Sequence, residues 1–166
     1  MFSLQTIFGK GDKFYGLLEA SAAAGRESAR ALTDLLATPA AQRSLEKFKL
    51  ARQREKGLAG QISQELVNTF VTALEREDIE ALSNVLYKIP KVIEKFAERF
   101  TLASQRLGDV DFVPRAKMLE QACEVKEEMV GKLRKGMNIE TSKALNDRMQ
   151  ASEAEAYRLI LELYRD

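Results

Sequence analysis

The chain has no histidine, one cysteine and only three prolines in 166 residues. The missing imidazole excludes histidine-based zinc sites and the Ser-His and Cys-His forms of nucleophilic catalysis. The single thiol, Cys123, cannot form an internal disulfide. It fits a reducing cytoplasm and reads as a small core residue. No stretch approaches the roughly 18 consecutive apolar residues of a membrane-spanning helix. No basic segment followed by an apolar run opens the chain, so neither a signal peptide nor a membrane span is expected. An excess of either charge is also lacking. Lys and Arg number 26 against 25 Asp and Glu, a net charge of +1. That balance supplies no bulk electrostatic drive towards nucleic acid or a membrane surface.

What is abundant is Ala, Leu, Glu, Lys and Arg, with 45% hydrophobic and 31% charged residues, a mixture that reads as all-α. The length suffices for one domain, residues 1–166, with a real core. Apolar residues recur at Leu58, Ile62, Leu66 and Phe70, and again at Ile79, Leu82, Leu86, Ile89, Ile93, Phe96 and Phe100. Both runs have helical spacing. The acidic cluster Glu75, Glu77 and Asp78 lies between them, where a helix N-terminus favours negative charge. The segment 69–79 is therefore expected to be a tight corner between two long antiparallel helices.

Taken in order, Phe2, Leu4, Ile7 and Phe8 are expected to dock on a core. Gly9-Lys10-Gly11 lacks the Lys-Ser/Thr pair and preceding strand of a phosphate loop, and reads as a turn. Asp12 would cap a first helix carrying Phe14, Leu17, Leu18, Ser21, Ala24, Ser28, Ala31, Leu32 and Leu35. Thr38 and Pro39 would start a second helix reaching Thr72. Its inner stripe would be Leu45, Phe48, Ala51, Glu55, Leu58, Ile62, Leu66 and Phe70. The third helix should reach Leu107 and kink at Pro90, with Lys88 and Lys91 exposed beside the bend. The stretch 108–114 is the main loop. A fourth helix follows Pro114, with Met118, Leu119, Ala122, Val125, Met129 and Leu133 inward, and Gly136 stops it. Asn138 caps a fifth, with Ile139, Leu145, Met149, Ser152, Ala156, Ile160 and Leu163 inward. The expected fold is an antiparallel bundle of about five long helices.

Phe14-Tyr15-Gly16-Leu17-Leu18, Thr69-Phe70-Val71-Thr72, Arg76-Glu77-Asp78-Ile79, Ala81-Leu82 and Ile89 carry a resemblance. They resemble the PhoU-related phosphate-transport regulators, and more narrowly the accessory proteins of low-affinity, Pit-type inorganic phosphate transporters. The resemblance implies two three-helix repeats, here about 12–107 and an incomplete 114–166. It also implies a non-enzymatic cytoplasmic regulator that docks on the cytoplasmic face of a transporter, peripheral to the inner membrane. Such proteins often hold metal clusters through Glu/Asp-x-x-x-Asp pairs. The spacing makes sense, because residues four apart share one helix face. Here the matching positions are Arg52 and Lys56, then Tyr87 and Lys91, and only Glu153 is acidic between Met149 and Ala154. With those carboxylates replaced, no metal and no cofactor are expected.

Glu124, Glu127 and Glu128, and Glu153, Glu155 and Glu162, read as solvated helix faces, so no catalysis is expected. Lys47, Lys49, Arg52, Arg54 and Lys56 form a locally basic segment, and Lys49, Arg52, Lys56, Lys88 and Lys91 a candidate anion or partner face. Two further readings remain open: a helical adaptor unrelated to phosphate, and nucleic-acid or anion binding through residues 47–56, with no nucleic acid expected at this net charge. Six long helices would complete two repeats and five are present. The uncovered apolar face is expected to make the chain a homo-oligomer.

Overall fold

The computed structural model describes the backbone of residues 4–107 and 110–164, and side chains from Asp12 onward within those ranges. It is all-helical, with no strand among the described residues. Five helices follow one another: α1 Leu4–Ala37, α2 Glu46–Asn68, α3 Arg76–Ala103, α4 Val113–Leu133 and α5 Ile139–Glu162. No helix is long and apolar enough to cross a membrane. The expected docking of Phe2, Leu4, Ile7 and Phe8 lies outside the described side chains.

α1 is the central element. It packs against α2, α3 and α4, whereas α5 packs mainly on α4. Ser21, Ala22, Ala24, Gly25, Ser28 and Ala29 are all buried, and their small size lets three neighbours approach one helix. α1 also runs straight through Gly9, Gly11 and Asp12. Two glycines weaken a helix by about 1 kcal/mol each without ending it. Asp12 therefore caps nothing, and instead pairs with Arg134 at 2.6 Å.

α2 begins at Glu46, not Pro39. The Thr38 hydroxyl donates to the Asp34 carbonyl at 2.7 Å, so it closes α1 rather than opening α2. A single 3-10 turn, Ala40–Gln42, follows Pro39. At its far end α2 stops at Asn68, with Thr69 extended. The Arg76 guanidinium donates to the Thr69 carbonyl at 2.7 Å and to that of Leu66, closing the C-terminus of α2 from the start of α3. Phe70 thereby leaves the inner stripe. It is 99% exposed, the reverse of the expectation.

α3 passes through Pro90 without a break, and the proline is buried. Its final turn, Ser104–Arg106, tightens to a 3-10 helix before Leu107. Lys88 is exposed, but Lys91 is half-buried. On α4 the fully buried residues are Ala116, Cys123, Val125 and Val130, while Leu119 is exposed and Met118, Ala122, Met129 and Leu133 are half-buried. Gly136 adopts φ +75° after α4, where a side chain would be strained. Asn138 caps α5 by accepting from the Thr141 amide at 2.7 Å. Leu145 is the one fully buried residue of α5, and Ile139 is 87% exposed.

The core has two apolar clusters. One holds Leu32, Leu35, Phe48, Ile93, Ala97, Phe100 and Cys123. The other holds Phe14, Leu18, Ile62, Leu66, Ile79, Leu86 and Val130. On α1 and α2 the buried residues between the two clusters are small or polar: Ala24, Gly25 and Ser28, then Ala51 and Glu55.

Candidate functional site

That intervening layer is the most unusual chemistry in the molecule. Glu55, in the middle of the α2 stripe, is completely buried. Its Oε1 accepts from the Ser21 hydroxyl of α1. Its Oε2 is buried with no hydrogen-bond partner among the described residues, and so are Ser28 Oγ, Arg52 Nη1 and Lys126 Nζ. Burial drives the two ionisable groups in opposite directions. The Glu55 carboxyl is raised by loss of water, with Ser21, Lys126, Arg52 and Arg54 pulling the other way. The Lys126 ammonium is lowered by the same cause, against the pull of Cys123, Glu55 and Glu127. Gly25 makes room for that amine from the α1 side. The Cys123 thiol next to it is pushed up by burial, which keeps it a thiol and a weak nucleophile.

The layer reaches the surface at the α2–α3 seam. The Arg52 guanidinium stacks 4.7 Å over the Tyr87 ring, donates from Nη2 to the Tyr87 hydroxyl at 3.2 Å, and lies 3.4 Å from Glu94. Arg52 and Glu94 side chains are only 17% and 20% exposed, so this contact is less screened than a surface pair. Lys56 is exposed, Lys91 is half-buried, and both lie close enough to help Arg52 lower the Tyr87 phenol. Four of the residues singled out from sequence, Arg52, Lys56, Tyr87 and Lys91, therefore converge. Lys49 and Lys88 are exposed and form no ion pair among the described residues.

The basic segment 47–56 is not one continuous stripe. Lys47 pairs with Asp34 at 3.4 Å and Arg54 with Glu27 at 2.7 Å, both on α1, while Arg52 turns to α3. Neighbouring cations of this segment thus turn to two different helices. The acidic clusters are divided in the same way. Glu124 and Glu127 hold Arg26, and Glu128 holds Arg148. Glu155 and Glu162 hold Arg158, and Glu153 is exposed. Among the described residues no group of three or more Asp, Glu or Cys side chains is placed to hold a metal ion.

Two apolar surfaces complete the picture. At the corner, Phe70, Val67 and Val71 are 99%, 82% and 54% exposed. Glu75 precedes α3 without a side-chain cap bond, and Glu77 and Asp78 sit in its first turn. The second surface is a cleft of about 330 Å³ between α3, α4 and α5, over the side of α1. Val92, Phe96, Leu119 and Ile160 line it and are exposed. Phe96, Phe100 and Phe112 close one end, with ring centroids 5.7–6.2 Å apart. Arg115, donating to the Leu159 carbonyl at 2.7 and 3.0 Å, ties α5 to the start of α4 beside it.

No family model, no curated protein and no solved structure matches the chain.

The buried layer is the feature that the sequence reading missed. Glu55 falls at an inner position, between Ala51 and Leu58, and a carboxylate inside an apolar stripe is a signal in itself. Gly25, inside a helix with no turn chemistry around it, is the matching signal on α1.

Proposed function

We propose that the chain is a non-enzymatic, PhoU-like accessory protein of a Pit-type inorganic phosphate transporter, acting in the cytoplasm at the inner membrane by protein–protein docking. The observation that carries the docking element is the open apolar cleft between α3, α4 and α5. An antiparallel bundle that leaves Val92, Phe96, Leu119 and Ile160 exposed along one groove lacks a helix there. Self-association fills that groove with a helix of a second copy. The exposed corner around Phe70 is a separate apolar surface, and it serves the transporter contact. The phosphate assignment rests on the sequence resemblance, and a kink in α3 follows from the backbone hydrogen bond that Pro90 removes. Nothing in the site calls for a metal or a cofactor, because three cations and a phenol, Arg52, Lys56, Lys91 and Tyr87, occupy the positions where carboxylates would hold one.

Two measurements test this. Molar mass by light scattering at micromolar concentration should exceed that of a monomer. Val92→Glu should return it to a monomer that keeps the helix content of the parent by circular dichroism. Co-purification with a Pit-type transporter should be lost in Phe70→Ser and retained in Val92→Glu. A monomer that binds no hydrophobic dye would refute the cleft reading. Failure to bind a Pit-type transporter in membranes would leave the helical adaptor unrelated to phosphate, which shares both surfaces.

A further inference from the structure

We propose that the α2–α3 seam binds a multiply charged phosphoryl oxyanion between Arg52, Lys56, Tyr87 and Lys91. The inference is independent of the transporter reading and rests on where these four side chains stand. Arg52 and Lys56 are one turn apart on α2, and Tyr87 and Lys91 one turn apart on α3. Each pair therefore presents a single face, and the Arg52–Tyr87 contact shows that the two faces meet. Three cations face two carboxylates: Glu94, which touches Arg52, and the buried Glu55, which Arg52 also acts on but whose charge is disfavoured by burial.

The unspent donors make this more than a solvated face. The Tyr87 hydroxyl accepts from Arg52, so its own proton is free to donate outward. Lys56 and Lys91 form no ion pair among the described residues, unlike Lys47 and Arg54 on the other side of α2. Arg52 is already held in one orientation by the Tyr87 ring and Glu94, so little of its freedom is lost when an anion arrives. A fixed guanidinium, a phenol donor and two mobile ammonium groups suit a tetrahedral group with several charged oxygens better than a single carboxylate. The Tyr87 phenol, already lowered by Arg52 with help from Lys91 and Lys56, reports occupancy. An anion that neutralises those cations must raise it again.

The seam is open to solvent, so the phosphoryl group can belong to a soluble ion or to a lipid headgroup. The probes are pyrophosphate in solution and vesicles of phosphatidylcholine with and without phosphatidic acid, at low salt. Calorimetry and flotation read binding, and ultraviolet titration reads the Tyr87 phenol, with Tyr87→Phe identifying its signal. Binding of either probe should fall at least tenfold in Lys56→Gln/Lys91→Gln and stay unchanged in Lys117→Gln/Lys143→Gln, a control that removes the same two charges from exposed positions on α4 and α5. The melting temperature of the double variant should match the parent, since both lysines lie at the surface edge. Pyrophosphate or lipid should shift the Tyr87 titration upward. Pyrophosphate binding alone assigns a soluble ligand, and vesicle binding alone assigns a headgroup. The proposal is overturned if neither probe binds, if the Lys56→Gln/Lys91→Gln variant binds as the parent does, or if Lys117→Gln/Lys143→Gln loses as much.

Discussion

A methyl group added at Gly25 of α1 would stand 2.5 Å from the Lys126 Nζ of α4. The glycine thus gives a buried amine its place, against the local preference of a helix for alanine. Gly25→Ala alone should change stability little, because the close atom is the tip of a flexible lysine whose shift offsets the helix gain of about 1 kcal/mol. In a Lys126→Ala background the clash is gone. The neighbouring Ile89 methyl, 3.4 Å from the new group, is in near-ordinary contact. There the same change should stabilise by about 1 kcal/mol. Urea unfolding of the four proteins measures the coupling, and equal effects in both backgrounds would disprove it.

Glu55 should make stability depend on pH in an unusual direction. Its carboxyl is raised in the folded chain, chiefly by burial. Above the ordinary glutamate value of about 4.3, the folded state holds the proton that the unfolded state has lost. Stability therefore falls as pH rises from that value through the folded one, and the contribution is full only below it. Glu55→Gln keeps an acceptor for Ser21 and removes this slope. The difference in unfolding free energy between variant and parent should grow from acid pH towards neutrality, then level off. A difference independent of pH would show that the carboxyl is not raised.

Arg76→Ala should destabilise by about 1.5–3 kcal/mol, the usual value of hydrogen bonds made by a charged donor. It removes both donors that close the C-terminus of α2, at Leu66 and Thr69. Arg76→Lys should recover little, because one ammonium cannot reproduce the fork. Hydrogen exchange should show the extra opening in the last turn of α2, and protection unchanged there would count against the contact.

Pro90→Ala should stabilise by about 1 kcal/mol. Removing proline from a helix interior gains about 3 kcal/mol. Because Pro90 is buried, two lost methylene groups return about 1.6 kcal/mol of that. A loss of stability in thermal melts would mean that the proline ring, or a bend that it imposes, is needed for packing against α1.

The all-helical class, the number of helices and most inward positions of α1 to α3 are legible in the sequence, whereas on α4 and α5 only Val125 and Leu145 of the expected inward residues are buried. Helical periodicity is a local property: Phe48, Ile62, Leu86, Ile93 and Leu145 fall inside because each helix must hide one face wherever its neighbours stand. The stop at Gly136 and the cap at Asn138 are equally local, one a matter of positive φ and the other of a side chain reaching an amide three residues on. Helix ends at Asp12 and Pro39 are misplaced, because cap signals there compete with continuation of α1 and with the Thr38–Asp34 bond. Phe70 was lost to the stripe for a tertiary reason: Arg76 takes the Leu66 and Thr69 carbonyls, and the helix ends before the period reaches residue 70. The polar layer is the clearest case. Ser21, Glu55 and Lys126 belong to three different helices, and spacing along the chain says nothing of how they meet. Only packing of both α2 and α4 against α1 brings them to one level, where burial changes what their charges cost.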